Sequence, residues 1–473
     1  MNKIFTLDEA EQLDNQKVKE LYKKYINPYQ TKIFSSFPFG EDKFIKAEGM
    51  YMYTENNKKI LDFTGGLGVL GLGHNHPRIL KVRQEYSQKK KMEVHKLVFS
   101  NYLAALSNNI ATVVGNNLDK VFFCNSGAEA IEAAIKISSR YNNKKKYILS
   151  SNKSYHGKLI GSGSISGSYQ KKNKFPKMEN VKFYNFNDIN SLEKTIIDCN
   201  ADGGVYAIVI EVFSATLLEN CSKEFISKLC ELRKKYDFLI ICDEVYSAWF
   251  KCGYFFYFKK FENFIPDILV LSKSLGGGKS SIASIITRSN VYNKVYGSIE
   301  NANLHTTTYN GFGEECATAL EAINVMIEEK FHEKVIKIDQ QIKKKLTELT
   351  DKYKNKITSI KGEGALWGIE FNSLINNIGE FSSLVPLEIV KNKTFFLKKI
   401  LAASISAELY SKHNILSFIS ESENSNFLYV SPSLIVDKKE IDYFFESLDK
   451  VLQSGLNTKL IKQLIKSIIS VLK

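Results

Sequence analysis

Between about residue 119 and residue 290, short apolar runs alternate with longer amphipathic stretches, and this alternation restricts the fold more than any other feature. VFFC (121–124) is followed by EAIEAAIKISSRY, KYILSS (146–151) by a Gly/Ser-rich loop, and VYAIVIEVF (205–213) by FISKLCELRKKY (225–236). FLIICDEV (238–245) and DILVLSK (267–273) come next. Continuous apolar runs of this length read as strands buried on both faces, and parallel strands need a crossover between them. The pattern predicts an α/β unit with a mostly parallel sheet flanked by helices. Residues 314–355 read as long helices, and 357–371 and 427–436 as short strands. Both ends of the chain are therefore expected to join in a smaller α+β domain. The expected division is 1–75 as the N-terminal segment of the small domain, 76–325 as the large domain, 326–455 as the C-terminal part of the small domain and 456–473 as a tail helix. At 473 residues the chain exceeds what one core usually organises.

Composition excludes several classes. Apolar residues at 44% and charged residues at 25% are those of a globular chain, not a disordered or fibrous one. Lys+Arg exceed Asp+Glu by 65 − 51 = +14, but only five of the basic residues are arginine: Arg78, Arg83, Arg140, Arg233 and Arg288. The lysines are spread along the chain rather than concentrated, so no nucleic-acid partner is expected. No apolar run reaches the ~20 residues of a membrane span. The opening MNKIFTLDEAEQLDNQ is acidic and lacks the apolar core of a secretory signal. Seven cysteines with no CxxC pair argue against a disulfide framework or zinc site and point to a reducing, cytoplasmic setting.

Four polar clusters fall where such a sheet collects chemistry, at strand ends that lead into helices. In VFFCNSGAEAIEAAIK, Ser126, Gly127 and Ala128 open a helix, and exposed N–H groups there form an anion site. The same residues also read as a plain capping box from Ser126 to Glu129. In ICDEV, Asp243 and Glu244 end a strand too apolar to carry an unpaired charge; they mark either an exit to solvent or an acid aimed at a cationic ring nitrogen. In DILVLSKSLGGG, Lys273 follows a buried strand and precedes three glycines, a place where a depressed pKa makes a lysine nucleophilic toward carbonyls. In KSYHGKLIGSGSISG, Tyr155 suits either a lid over a flat ligand or ordinary packing. An anion cradle, a carboxylate, an amine and an aromatic lid are together what pyridoxal 5'-phosphate requires.

The order of these segments resembles the class III aminotransferases, pyridoxal-phosphate enzymes of fold type I, nearest in flavour to the putrescine and ornithine branch. The resemblance runs from about residue 40 to 455. It rests on LDFTGGLGVLGLGHNHPRI, FCNSGAEA, YHGK, VIEVF, ICDEV, LSKSLGGG and LHTTTYNGFG. It implies that Lys273 holds the cofactor as a Schiff base and shuttles a proton, and that Asp243 pairs with the pyridine nitrogen. It further implies that Tyr155 and Val245 sandwich the ring and that Ser126, Gly127 and Ala128 take the phosphate. Thr308 would complete the neighbouring subunit's site in a homodimer, and Glu211 would stand beside the substrate. With Lys273 present, His156 is not needed as a base. His74, His76 and Pro77 read as a turn rather than a metal site.

Three positions depart from the family's pattern and bear on the substrate. Lys158 and Tyr429 stand where the family often has Arg, and Tyr246 where Gln is common. A bidentate clamp on carboxylate is arginine chemistry, and no arginine follows Arg288. Glu211 is then free to face a substrate ammonium. The expected activity is transfer of an amino group from an amine, diamine or ω-amino donor to a keto acid by a ping-pong cycle, with Lys158, Tyr246 and Tyr429 near the substrate. An aminomutase, racemase or decarboxylase of the same superfamily is the alternative; a non-catalytic scaffold is the alternative of another class. In the tail, KLIKQLIKSIISVLK places Leu460, Ile461, Leu464, Ile465, Ile468, Ile469 and Leu472 on one stripe, with Lys459, Lys462, Lys466 and Lys473 off it. Such a helix suits packing on the protein's own surface, with a membrane surface or a partner protein as the other options.

Overall fold

The protein is described from a computed structural model that covers residues 4–94, 97–171, 173–372, 392–420 and 425–455, together with 458, 461, 462, 464–466 and 469. The centre is a seven-stranded sheet. Its strands are β1 (Leu118–Cys124), β2 (Tyr147–Ser151), β3 (Val181–Tyr184), β4 (Val205–Ile210), β5 (Leu239–Asp243), β6 (Ile268–Leu271) and β7 (Ala283–Arg288). Their spatial order is β1-β7-β6-β5-β4-β2-β3, parallel from β6 through β3, with β7 antiparallel to both of its neighbours. The carboxyl ends of β1, β2, β4, β5 and β6 therefore share one edge. β4, β5 and β6 are buried at every position, as their unbroken apolar runs require. The helix Gly127–Tyr141 lies against the sheet through Ile131, Ile137 and three alanines, Ala130, Ala133 and Ala134, whose small side chains allow a close approach.

The expected mixed, mostly parallel sheet is present, but the sequence reading missed two of its strands. β3 is short and half polar. β7 carries Ser284, Thr287 and Arg288 among its apolar residues, and Ser284 and Thr287 are buried all the same. The predicted strand 427–436 shrinks to Leu428–Val430. Beyond it the chain leaves its sheet to bond the N-terminal loop: the Ser431 N–H donates to the Phe63 carbonyl and the Leu434 N–H to that of Gly71. Early and late parts of the chain meet as expected, since Ile415–Leu416 pairs in parallel with Lys59–Asp62, the third strand of a sheet begun by Phe44–Glu48 and Tyr51–Thr54. A second small sheet joins Ile357–Glu363, Leu366–Phe371, Leu428–Val430 and Phe418–Ile419. The long helices Gly313–Glu328 and Phe331–Lys352 occupy the expected span.

In the tail, Ile461, Leu464 and Ile465 are fully buried, while Lys462 and Lys466 are exposed. Ile461 and Ile465 belong to the main apolar core, and Ile469 packs against it. Leu460, Ile468, Leu472, Lys459 and Lys473 lie outside the described residues. Among the described residues no helix is long and apolar enough to cross a membrane, no group of side chains suits a metal ion, and all seven cysteines are free thiols.

Candidate active site

The shared edge of the sheet gathers Ser126, Gly127, Glu211, Asp243 and Lys273. Asp243 ends β5 opposite Val270 of β6, and Lys273 stands just beyond the end of β6. Glu211 follows β4, and Ser126-Gly127 follows β1. Register thus delivers a carboxylate, an amine, a second carboxylate and a helix start to one place.

Asp243 is 6% exposed. Its Oδ1 accepts the N–H of Val245 at 3.0 Å, and its Oδ2 shares a 2.7 Å hydrogen bond with His156 Nδ1. His156 is itself buried, with Nε2 3.2 Å from Ser150 Oγ and its N–H donated to Ser166 Oγ at 2.7 Å. His156, which is not needed as a base, holds the Asp243 carboxylate in place. Residues 156 and 243 lie far apart in the sequence, and only the fold brings them together. Glu244 corrects the reading of ICDEV as an exit to solvent. It is fully buried and accepts the N–H groups of Tyr257 and Phe258, both at 2.6 Å. Burial pushes its carboxyl up to about 7.

The helix start shows the capping box and leaves the anion-site reading open. Ser126 and Glu129 form a complete capping box, and Glu129 Oε2 also accepts the Asn125 N–H at 2.7 Å. The N–H groups of Gly127 and Ala128 stay open, as first-turn donors do. A Cβ on Gly127 would come within 2.9 Å of Val245 Cγ2, so glycine is what lets this turn sit against Val245. Tyr155 is 43% exposed, and its N–H donates to Glu211 Oε2 at 3.0 Å.

Burial pushes Glu211 up to about 7; His156 opposes that rise and Asp243 adds to it. No cation pairs with Glu211 among the described residues. Tyr429 stands within electrostatic reach of it, but the Tyr429 hydroxyl donates to the Ala215 carbonyl at 2.9 Å and its ring stacks on Phe418 at 4.4 Å. Lys158 is exposed, with Nζ 5.8 Å from the centre of the Tyr169 ring, and makes no contact with Glu211. Tyr246 lies beneath Lys273, whose Nζ is 4.3 Å from its ring centre. Burial lowers the Lys273 amine to about 8, with Asp243 pulling the other way. Thr308 is exposed and lines a separate cavity of about 150 Å³ with Tyr86, Met92 and Tyr102; none of the site residues above lines it. His74 bonds Asp62 through Nε2 at 2.9 Å and pairs with Gly49 through its backbone, a structural role.

The model of the class III aminotransferases matches residues 41–452. The chain belongs to that family. It is 30% identical over 447 residues to an acetylornithine/succinyldiaminopimelate aminotransferase of Buchnera aphidicola, covering 89% of this chain and 94% of that protein. An acetylornithine aminotransferase of Aquifex aeolicus is 32% identical over 335 residues, 69% of this chain and 83% of that one. Among solved structures, an ornithine aminotransferase from Toxoplasma gondii superimposes with a TM-score of 0.77 at 21% identity, covering 95% of this chain and 99% of that one. An omega-aminotransferase from Paracoccus denitrificans gives 0.75 at 21%, over 88% and 93%. These likenesses give the aminotransferase the fold type I architecture. As a class III member it is a pyridoxal-phosphate enzyme that moves an amino group.

Proposed function

We propose that this aminotransferase works through Lys273 and Asp243 and takes its amino group from an amine, diamine or ω-amino donor. The residues present fit the cofactor: open N–H groups at a glycine turn for a phosphate, a buried fixed carboxylate for a ring nitrogen, and an amine of lowered pKa for an aldehyde. Bound pyridoxal phosphate supplies an aldehyde that takes up the donor's nitrogen and a protonated ring that draws electrons from the bond being broken. Asp243 keeps that ring nitrogen protonated, and His156 keeps Asp243 oriented. Ser126, Gly127 and Ala128 would hold the phosphate, and Val245 and Tyr155 would hold the ring. Lys273 Nζ would take a proton from the amine-bearing carbon of the donor and hold it for its return later in the reaction. An amine near neutrality suits both tasks.

The donor assignment rests on one observation: the Glu211 carboxylate, half-buried at the reacting edge, has no cation beside it among the described residues. A half-buried charge calls for a partner, and a donor's second ammonium supplies one. The Tyr429 hydroxyl is already committed to Ala215, so it does not replace a carboxylate clamp. Half-reaction rates with putrescine, ornithine and glutamate test the assignment. Putrescine or the distal amine of ornithine should react fastest, and a strong preference for glutamate would overturn it. The minimal unit in this reading is a homodimer in which Thr308 completes the neighbour's phosphate site, a cytoplasmic enzyme whose large domain spans 76–325.

A further inference from the structure

Lys273 leaves its strand with a left-handed backbone (φ 50°), and its Nζ is gripped from two sides. It donates to the Leu67 carbonyl at 2.7 Å. It also lies 4.3 Å from the centre of the Tyr246 ring. Both contacts depend on unusual local backbone. Gly65, Gly66, Leu67 and Gly68 all have positive φ (54°, 56°, 56° and 90°), which is how the turn presents the Leu67 carbonyl. A Cβ on residue 68 would come within 3.1 Å of two Tyr246 ring carbons and 3.4 Å of Lys273 Cδ, so the ring fits here because residue 68 is glycine. The Tyr246 hydroxyl is buried, and the Ser431 side chain is the polar group that interacts with it.

We propose that Tyr246 is a positioning residue for Lys273: its ring face and the Leu67 carbonyl form a two-sided holder for the amine whenever it is free of the cofactor. The proposal rests on the reading of Lys273 as the reacting amine. An aromatic face favours the ammonium over the neutral amine. It acts together with the Asp243 carboxylate from β5, which also favours the ammonium. Lys251 opposes it from the turn that follows Tyr246. Its Nζ is buried on the Pro432 carbonyl at 2.7 Å, within electrostatic reach of Lys273 and of Asp62.

The test uses the full-length holoenzyme converted to the form with the aminated cofactor, in which Lys273 is free. The rate of Lys273 acetylation by acetic anhydride, read peptide by peptide by mass spectrometry across pH, gives its titration midpoint. Tyr246→Leu should lower that midpoint by about one unit and slow the half-reaction roughly tenfold. Tyr246→Phe, which keeps the ring, should match the parent in both. Tyr246→Met serves as a second non-aromatic variant of similar bulk should the leucine variant not fold. The proposal is overturned if a folded non-aromatic variant melts at a lower temperature with an unchanged midpoint and half-reaction. It is also overturned if Tyr246→Phe behaves like the non-aromatic variants. A half-reaction that survives in Lys273→Ala would refute the reading of Lys273 itself, whatever Tyr246 does.

Discussion

The two sides of the site are built differently. Around Asp243 everything is finished: the carboxylate is buried, His156 and the Val245 N–H hold it, and Ser150 and Ser166 hold His156. Around Tyr155 and Lys158 the side chains are exposed, and the N–H groups of Gly127 and Ala128 have no acceptor among the described residues. Asp243, more deeply buried than the Glu211 carboxylate, is satisfied within the chain, whereas groups that stand in water can wait for a ligand. The closed side should therefore govern the rate of the chemistry, and the open side the affinity for what binds.

Four substitutions sharpen or break that contrast. Lys273→Ala should reduce the amine half-reaction by about 10⁴-fold or more. Asp243→Asn should lower kcat by roughly 10²–10³-fold with little change in donor KM, read by steady-state kinetics. His156→Ala should cost about tenfold in kcat, the worth of one hydrogen bond to a charged group, and a larger loss in cofactor affinity than in kcat would break the contrast. On the open side, Tyr155→Ala should weaken cofactor retention about tenfold in equilibrium dialysis while leaving kcat at saturating cofactor nearly unchanged.

Glu211 belongs to both sides, and pH separates its roles. Burial raises its carboxyl to about 7, so it is ionised above that pH and neutral below it. If it holds a donor ammonium, kcat/KM for a diamine should fall about tenfold per pH unit below neutrality. In Glu211→Gln that dependence should vanish. The smallest effects on chemistry should come from the core. Ile241→Ala in β5 should lower stability by about 2–5 kcal/mol in denaturant titrations, and Leu464→Ala in the tail by a similar or smaller amount.

The sheet was legible in the sequence because β4, β5 and β6 are unbroken apolar runs, and periodicity reports burial on both faces directly. β7 escaped because Ser284 and Thr287 are buried polar residues, which no hydropathy pattern distinguishes from a loop. Lys273 and Asp243 could be chosen by position, at the ends of recognisable strands. His156 could not be linked to Asp243, and Tyr246 could not be placed under Lys273, because both pairings are products of tertiary approach. The tail stripe was visible, but its burial at Ile461, Leu464 and Ile465 depends on a surface that the stripe itself does not describe.

The most direct test of the central claim is a stoichiometry. The holoenzyme is mixed with a diamine donor and no acceptor, and the carbonyl product is counted. The account predicts a single burst of about one equivalent per cofactor that then stops, and no burst in Lys273→Ala. Sustained turnover without an acceptor, or a burst that survives the loss of Lys273, would contradict it.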